Sequence, residues 1–453
     1  MSGHGGGGAL DRASTGLPAA PVRIVHLGLG AFHRAHQAWY THAVDDDHEW
    51  GIAAVTGRSP RAAEELAAQD GLFTLVERGP ERDSATIVGS IVEAVDGADV
   101  ARLVALVAAP ATAIVTLTIT EAGYRLAADG GPDLNDPVVR SDLALLRSGG
   151  APVTALGRLL LGLAARRDAG SGPLAVVPCD NLSGNGPLVR RGLRLLAERL
   201  DPSLADWIDR TVSFVSTSVD RITPATTAAD REAAAELTGI SDAAAVVTEP
   251  FRDWVLCGGF PAGRPAWERA GARFVDDIEP FERRKLRLLN GAHTLLAATG
   301  RRRGLATVAE AIAEPSCRSA VEAFWAEAAA GLPAGLDADA YCAALLERFG
   351  NPRIEHRLEQ IGADATAKLR IRIAPVLLAE RAAGRDGAAS LRAVADWIAL
   401  LLRGDRLPDA QRPALDRALG SGLPVEALLR LVDPRLADDP ALVAAVAAAS
   451  AEA

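Results

Sequence analysis

Hydrophobic and polar positions follow two regimes along the chain, which change over near residue 280. Before that point, short β-branched runs alternate with longer amphipathic stretches, the pattern of strands and helices that take turns around a parallel sheet. Val22–Leu27 reads as the first strand, Ala31–His42 as a helix, Trp50–Thr56 as the second strand and Pro60–Ala68 as the helix behind it. Leu72–Glu77 and Thr86–Val95 alternate and predict a hairpin, and Asp99–Ala108 predicts an amphipathic helix. Further strands are expected at Ala113–Thr120, Leu174–Val177 and Val212–Ser216, and further helices at Pro187–Leu200 and Thr226–Gly239. Phe251–Gly271 reads as loop-rich.

From Phe281 onward, apolar residues recur every three to four positions. Helices are expected at Lys285–Thr299, Thr307–Ala330, Asp337–Phe349, Asp364–Ala383, Ser390–Leu402, Leu423–Leu431 and Pro440–Ala449. Asp337 and Ser390 stand where N-caps belong, and Gly350 and Gly404 where helices stop. The expected fold class is α/β: a mainly parallel sheet domain over residues 21–280, followed by an all-α domain over residues 281–453. The Gly-, Ala- and Ser-rich residues 1–20 read as a disordered tail, with neither the basic start nor the apolar core of a signal peptide.

Composition narrows the function. The 453 residues carry a net charge of −10, which argues against nucleic acid as the partner, because phosphate binding needs a basic surface. No apolar run reaches the roughly 18 residues of a membrane span. Four well-separated cysteines form no C-x-x-C pair and suit a reducing, cytoplasmic setting; no metal site is expected. Lys285 and Lys368 are the only lysines. Where Arg serves at nearly every other basic position, a retained Lys suggests a task that needs a proton to leave.

Three groups of residues carry candidate chemistry. Val22–Leu27 ends in Gly28-Leu29-Gly30 ahead of a helix, the first half of a dinucleotide-binding unit. Gly28 permits the tight turn, and Gly30 lets the backbone approach a pyrophosphate at the positive helix end. His33 takes the place of the third glycine, and Arg34 adds a possible phosphate cation. Trp50–Thr56 ends in Gly57-Arg58-Ser59 rather than the acid that binds the ribose of NAD, so NADP stays open beside NAD. Second, polar loops follow three strands: Glu121–Tyr124, Cys179–Gly186 with Asp180 and Asn181, and Val219-Asp220-Arg221-Ile222-Thr223-Pro224. Strand ends of this kind bind ligands in open α/β sheets, although each taken singly also fits an ordinary polar turn.

The third group is Lys285–His293. On an α-helix, at about 100° per residue, Asn290 lies roughly 140° and His293 roughly 80° from Lys285, so all three fit one broad face. A desolvated Lys there can take a proton from an alcohol. A half-buried helix with a snorkelling Lys and a core His satisfies the same nine residues.

Taken in order, Gly28–His36, Cys179-Asp180-Asn181 with Asn185-Gly186, Val219–Pro224, Thr248–Phe251, Ala262–Glu268 and Lys285…Asn290…His293 resemble the polyol-specific long-chain dehydrogenase family, which includes the mannitol dehydrogenases. The likeness runs from about Val22 to about Arg372. It implies a Rossmann-type first domain and an all-α, substrate-binding second domain, with the Lys285 helix where the two join. It implies Lys285 as general base, Asn181 and Asn290 as the oxyanion hole, and His293 on a neighbouring hydroxyl. Asp220, Lys368 and Arg372 become substrate ligands, and Gly28, Gly30, Ala31, Phe32, Arg34, Arg58 and Val219 hold the dinucleotide, NAD or NADP. The implied activity interconverts a secondary alcohol and a ketone on a sugar acid or polyol, in a monomer or small homo-oligomer.

Two stretches depart from the family pattern. Asp364-Ala365-Thr366-Ala367-Lys368 stands where a D-G-S-x-K segment resembles it, and Cys257-Gly258-Gly259-Phe260 replaces an acidic segment. Gln360, eight residues before Lys368, takes the place of an Arg of mannitol 2-dehydrogenases. His356–Ile361 and Leu72–Val76 look more like the fructuronate reductase (D-mannonate oxidoreductase) branch, with mannitol 2-dehydrogenase or arabinitol dehydrogenase as alternatives. A dinucleotide-binding sensor without turnover is the alternative of another class. A hydrolase lacks its G-x-S-x-G elbow.

Overall fold

Six short strands build the central sheet of a computed structural model that describes residues 10–127 and 130–452. They are β1 Val22–Leu27, β2 Gly51–Val55, β3 Ile91–Val95, β4 Ile114–Leu117, β5 Leu174–Pro178 and β6 Val212–Phe214. Their order is β3-β2-β1-β4-β5-β6, and every pairing is parallel. The order reverses between β1 and β4, which makes the carboxyl end of that pair the switch point where ligands bind in doubly wound sheets. Both faces are covered, so these strands read as continuous apolar runs. Ile24, Ile52, Ile114 and Val177 pack on one face with Phe73, Tyr40, Trp254 and Trp267. Val25, Val55, Val115 and Val176 pack on the other with Leu103, Leu159 and Leu163.

Two expected strands each prove to be two. The predicted partner of the hairpin, Thr86–Val95, divides at Gly89-Ser90. Asp83–Val88 pairs antiparallel with Phe73–Arg78, and Ile91–Val95 joins the parallel sheet beside β2. The Ser90 hydroxyl donates to the carbonyl of Ala38 at 2.7 Å and holds the crossing in place. Val212–Ser216 divides likewise into β6 and the strand Ser216–Asp220. The latter pairs antiparallel with Asp253–Cys257, inside the stretch expected to be loop. Gly258 ends that hairpin at φ 142°, and a Cβ on it would lie 3.0 Å from the Val215 Cα. Close backbone approach thus accounts for a glycine in the unusual Cys257–Phe260 segment.

Helices at Pro137–Ser148, Ala155–Ala169 and Pro202–Thr211 add to the expected set, and the helix expected from Pro187 begins at Asn185. Of the expected tail, residues 1–9 lie outside the described residues. Residues 10–20 are a correction, because they are held. Leu10 is buried, Asp11 caps the turn Arg12–Thr15, and Arg12 donates to the carbonyls of Asp70, Gly89 and Ile91.

The chain divides into two compact units, Met1–Glu279 and Pro280–Ala453. Every regular element described in the second is a helix. Two expected helices break at prolines. Thr307–Ala330 becomes Val308–Ala313 and Pro315–Ala329, and Asp364–Ala383 becomes Ala365–Arg372 and Ala374–Ala382, with Pro375 in the first turn. Ser390 is not a cap. Its helix starts at Ala388, and its hydroxyl and amide donate to Glu327 instead. Asp337 stands at the cap position but makes no cap bond, while Gly350 is the C-cap of its helix and Gly404 follows directly after one.

Candidate active site

In the first unit, the glycine turn sits at the switch point. Gly28 adopts φ 106°, and a Cβ there would lie 2.0 Å from the backbone oxygen of Thr118 in the loop after β4. Only glycine fits both the conformation and the contact. Gly28 and Leu29 both donate to the Val55 carbonyl at 2.9 Å, which ties the turn to the end of β2. Gly30 precedes a helix that starts at Ala31, passes through a π-turn at Arg34–Ala38 and ends at His42. Its first residues, Ala31 and Phe32, are half-buried. A Cβ on Gly30 would meet only the Gly28 oxygen, at 3.6 Å, so the fold leaves that side open, as an approaching pyrophosphate requires. These features fit a dinucleotide. We expect Gly28→Ala to weaken NADH binding at least about tenfold, read by calorimetry; an unchanged Kd would place the dinucleotide elsewhere.

Arg34 and His33 face inward. The Arg34 guanidinium is buried and donates to the carbonyls of Gly30 and Ala244, so it braces the turn instead of reaching out to a phosphate. The expectation of a phosphate cation is corrected on that geometry. His33, in place of the third glycine, stacks on His26 with ring centroids 3.4 Å apart. His26 bonds Thr116 at 2.8 Å and Thr118 at 2.9 Å, and Thr118 in turn donates to the Gly28 carbonyl at 3.0 Å. Burial pushes the His26 imidazole down to about 3, so it is a neutral strut behind the turn. Beyond β2, Arg58 is exposed and no carboxylate follows the strand. Buried Thr56 instead accepts from the amide of Gly97 at 2.8 Å.

The three polar loops are wired together within this unit. Asp180, just past β5, is 8% exposed. Its carboxylate accepts from the amides of Ile119 (3.0 Å) and Thr120 (2.7 Å) and from the Tyr124 hydroxyl (2.6 Å). Burial pushes its carboxyl up, and those three donors oppose the shift. Thr120 lies at φ 66°, ψ 157°, a region that is essentially glycine's and costs a threonine of order 1–3 kcal/mol. Buried Asn185 donates to the Asp180 carbonyl (3.2 Å) and to Thr217 O (2.8 Å), and accepts from the Thr217 amide (2.8 Å). Thr217 belongs to the strand that ends at Asp220, opposite Asp253. Asn181 is exposed next to Asp180, Asp220 is half-buried and Val219 is buried. Arg221 turns away from Asp220 into the interior. It donates to Glu77 and to the carbonyls of Ala35 and Glu249, and lies over Trp39 at 5.1 Å. The sequence motifs contain Asp180, Asn185 and Arg221 without assigning them a role, and their partners show it.

In the second unit, the Lys285 stretch is not a plain α-helix. Glu279–Arg284 and Gly291–Arg302 are α-helical, and Lys285–Asn290 between them is a π-turn. With i→i+5 bonds, residues five apart come close to the same line, so Lys285 and Asn290 are no longer about 140° apart as on an α-helix. A π-bulge is frequent at functional sites. Gly291 seats this helix, since a Cβ there would lie 2.6 Å from the Phe324 ring. His293 is buried between Phe349 (4.8 Å) and His356 (4.7 Å), and its Nε2 has no partner among the described residues. Burial lowers its pKa well below the usual value; His356, Arg348, Arg372 and Lys368 push the same way. Arg372 donates to the Asn290 carbonyl at 3.5 Å and to Thr294 at 3.2 Å, and Lys368 to Ile361 O at 2.8 Å. Burial pulls Arg372 down to about 10 and lowers Lys368 as well. In the altered Asp364–Lys368 block, Thr366 donates through its amide and hydroxyl to Asp409, a structural duty for that position.

Residues 22–269 match the mannitol dehydrogenase Rossmann domain and residues 277–452 the mannitol dehydrogenase C-terminal domain. The chain belongs to the mannitol dehydrogenase family. Over 360 residues it is 42% identical to the D-mannonate oxidoreductase of Escherichia coli K12, a match that covers 77% of this chain and 73% of that one. Over 385 residues it is 39% identical to the D-arabinitol 4-dehydrogenase of Ralstonia nicotianae, covering 83% and 82%. Among solved structures, the Pseudomonas fluorescens mannitol 2-dehydrogenase ternary complex with NAD and D-mannitol is similar at a TM-score of 0.78 and 35% identity, covering 95% of this chain and 91% of that one. As a mannitol dehydrogenase family member, the chain is an oxidoreductase with a dinucleotide-binding first domain. Its six-stranded order and its glycine turn are those of a Rossmann sheet.

Proposed function

We propose that this family member is an NAD-dependent dehydrogenase that interconverts D-mannonate and D-fructuronate. The observation that carries the choice is the charge around His293. Arg372 donates to Thr294, the residue after His293, Lys368 stands four residues before Arg372 on the same helix, and His356 packs against the ring itself. A sugar acid brings the complementary negative charge, and charge-assisted bonds from Lys and Arg hold it better than they hold a neutral polyol. The 42% identity to a D-mannonate oxidoreductase supports the same substrate.

In this reading, Lys285 takes the alcohol proton as the carbinol carbon gives up its hydride, and returns it in the reverse direction. Asn181 and Asn290 donate to the oxygen as it gains charge, His293 binds the neighbouring hydroxyl, and Asp220 orients another. Lys368 and Arg372 hold the carboxylate. Bound NAD supplies the hydride acceptor. Gly28, Gly30, Ala31, Phe32 and Val219 would shape its seat, and Arg58, exposed just past the end of β2, would be the residue to meet its ribose 2′ group.

One assay tests this. Cofactor absorbance is followed with fructuronate, fructose, tagaturonate and xylulose, each with NADH and with NADPH. The expected kcat/KM for fructuronate exceeds that for fructose at least about 100-fold. A preference for fructose or xylulose would instead assign a polyol dehydrogenase, as the similarity to the arabinitol and mannitol enzymes allows. NADH binding without any turnover would indicate a sensor. The NADPH arm decides whether Arg58 takes a 2′-phosphate.

A further inference from the structure

The loops after β4 and β5 are joined by one buried carboxylate, and the residue beside it is the proposed oxyanion donor Asn181. Asp180 holds Ile119, Thr120 and Tyr124 through its side chain, while its own carbonyl accepts from Asn185 and from the amide of Leu182 at 2.8 Å. Both neighbours of Asn181 in the chain are therefore hydrogen-bonded in place. The other end of the network is the glycine turn: Thr118, next to Ile119, touches Gly28 and donates to its carbonyl. Thr120 does not hold its glycine-like conformation unaided, and the two amides that Asp180 accepts from are those of Thr120 and the residue before it.

We propose that Asp180 is a positioning residue, which sets Asn181 and the 118–124 loop in register with the dinucleotide seat through the strained Thr120. Asp180 does not itself touch the reacting atoms. The proposal rests on the dehydrogenase reading above. An amide at position 180 keeps the volume but offers one acceptor oxygen in place of two, so at least one of the two backbone donors loses its partner.

The test compares wild type, Asp180→Asn, Tyr124→Phe and the double variant Asp180→Asn/Thr120→Gly, each as the full chain. Asp180→Asn is expected to lower kcat about 100-fold at saturating substrate, the cost of misplacing a donor by about an ångström. The Kd for NADH should move by less than about fivefold, since the helix start and glycine turn that seat the pyrophosphate keep their own bonds. Adding Thr120→Gly, which makes the loop conformation intrinsically allowed, should restore kcat about tenfold. A kcat within about threefold of wild type, or a loss confined to Kd or thermal stability, overturns the proposal. If Asp180→Asn does not fold, Tyr124→Phe carries the test, with a fall in kcat of about fivefold expected and none overturning it. The emission of bound NADH, read without sugar, separates the two levels. Wild type inactive on every sugar, with emission altered in Asp180→Asn, rejects the substrate reading and supports the positioning role. Unaltered emission in that case rejects both.

Discussion

Replacing Lys285 by Met is expected to lower kcat/KM by about 10²–10⁴-fold, the usual worth of a positioned general base. Lys285→Arg should be nearly as inactive. Arg keeps the positive charge and much of the length, but it does not give up its proton in a protein, so it cannot cycle between acid and base. The pair separates proton transfer from simple charge: if the Arg variant retained most of the activity, the side chain would be acting as a fixed cation and the mechanism above would be wrong. NADH binding should survive both changes, because the glycine turn and its struts all lie in the first unit. Steady-state kinetics alongside calorimetric NADH titration gives both answers. The π-turn gives the position its meaning. It carries Lys285 and Asn290 towards one line of the helix, so the proposed base and one proposed oxyanion donor come from a single element.

The second large effect is on stability. Arg166, on the helix Ala155–Ala169, is fully buried and donates to six backbone carbonyls: Val107, Ala109, Thr112, Ser171, Gly172 and Pro173. No carboxylate is among these partners. The guanidinium gathers the ends of two loops that lead into β4 and β5, where those carbonyls have no ladder to join. Arg166→Met keeps much of the apolar volume and strands the carbonyls. A loss of about 4 kcal/mol is expected, at the high end for single substitutions. For a unit of this size, that is a fall in melting temperature of about 10 °C. Activity per folded molecule well below the transition should be unchanged, because the residue bonds to none of the three polar loops. A melting temperature within about 2 °C of wild type would mean that water replaces the guanidinium without cost.

The candidate site is partly legible in the amino-acid sequence. Gly28 and Gly30 stand out because a strand, a glycine pair and a helix are a local pattern, and Lys285 because the chain keeps only two lysines. Asp180 and Arg221 do not, although both lie inside recognisable motifs. Their duties depend on partners tens to hundreds of residues away: Ile119 and Thr120 for one, Ala35 and Glu77 for the other. Arg34 meets the same limit. An arginine after a glycine turn looks like a phosphate ligand until the Ala244 carbonyl is brought up beneath it. The π-turn at Lys285–Asn290 leaves the leucine spacing almost as an α-helix would have it, so periodicity alone does not reveal it.

The amino-acid sequence by itself determined the α/β order of the first unit, the helical character of the second and the glycine turn, because each is written in short-range pattern: runs of β-branched residues, a period near 3.6, a glycine where no Cβ fits. Tertiary structure alone decided where Thr86–Val95 and Val212–Ser216 change sheets, which polar side chains turn inward, and how one carboxylate at position 180 binds neighbouring loops. Those outcomes depend on which carbonyls and amides are left without a partner once distant segments pack, and no local stretch of the chain carries that information.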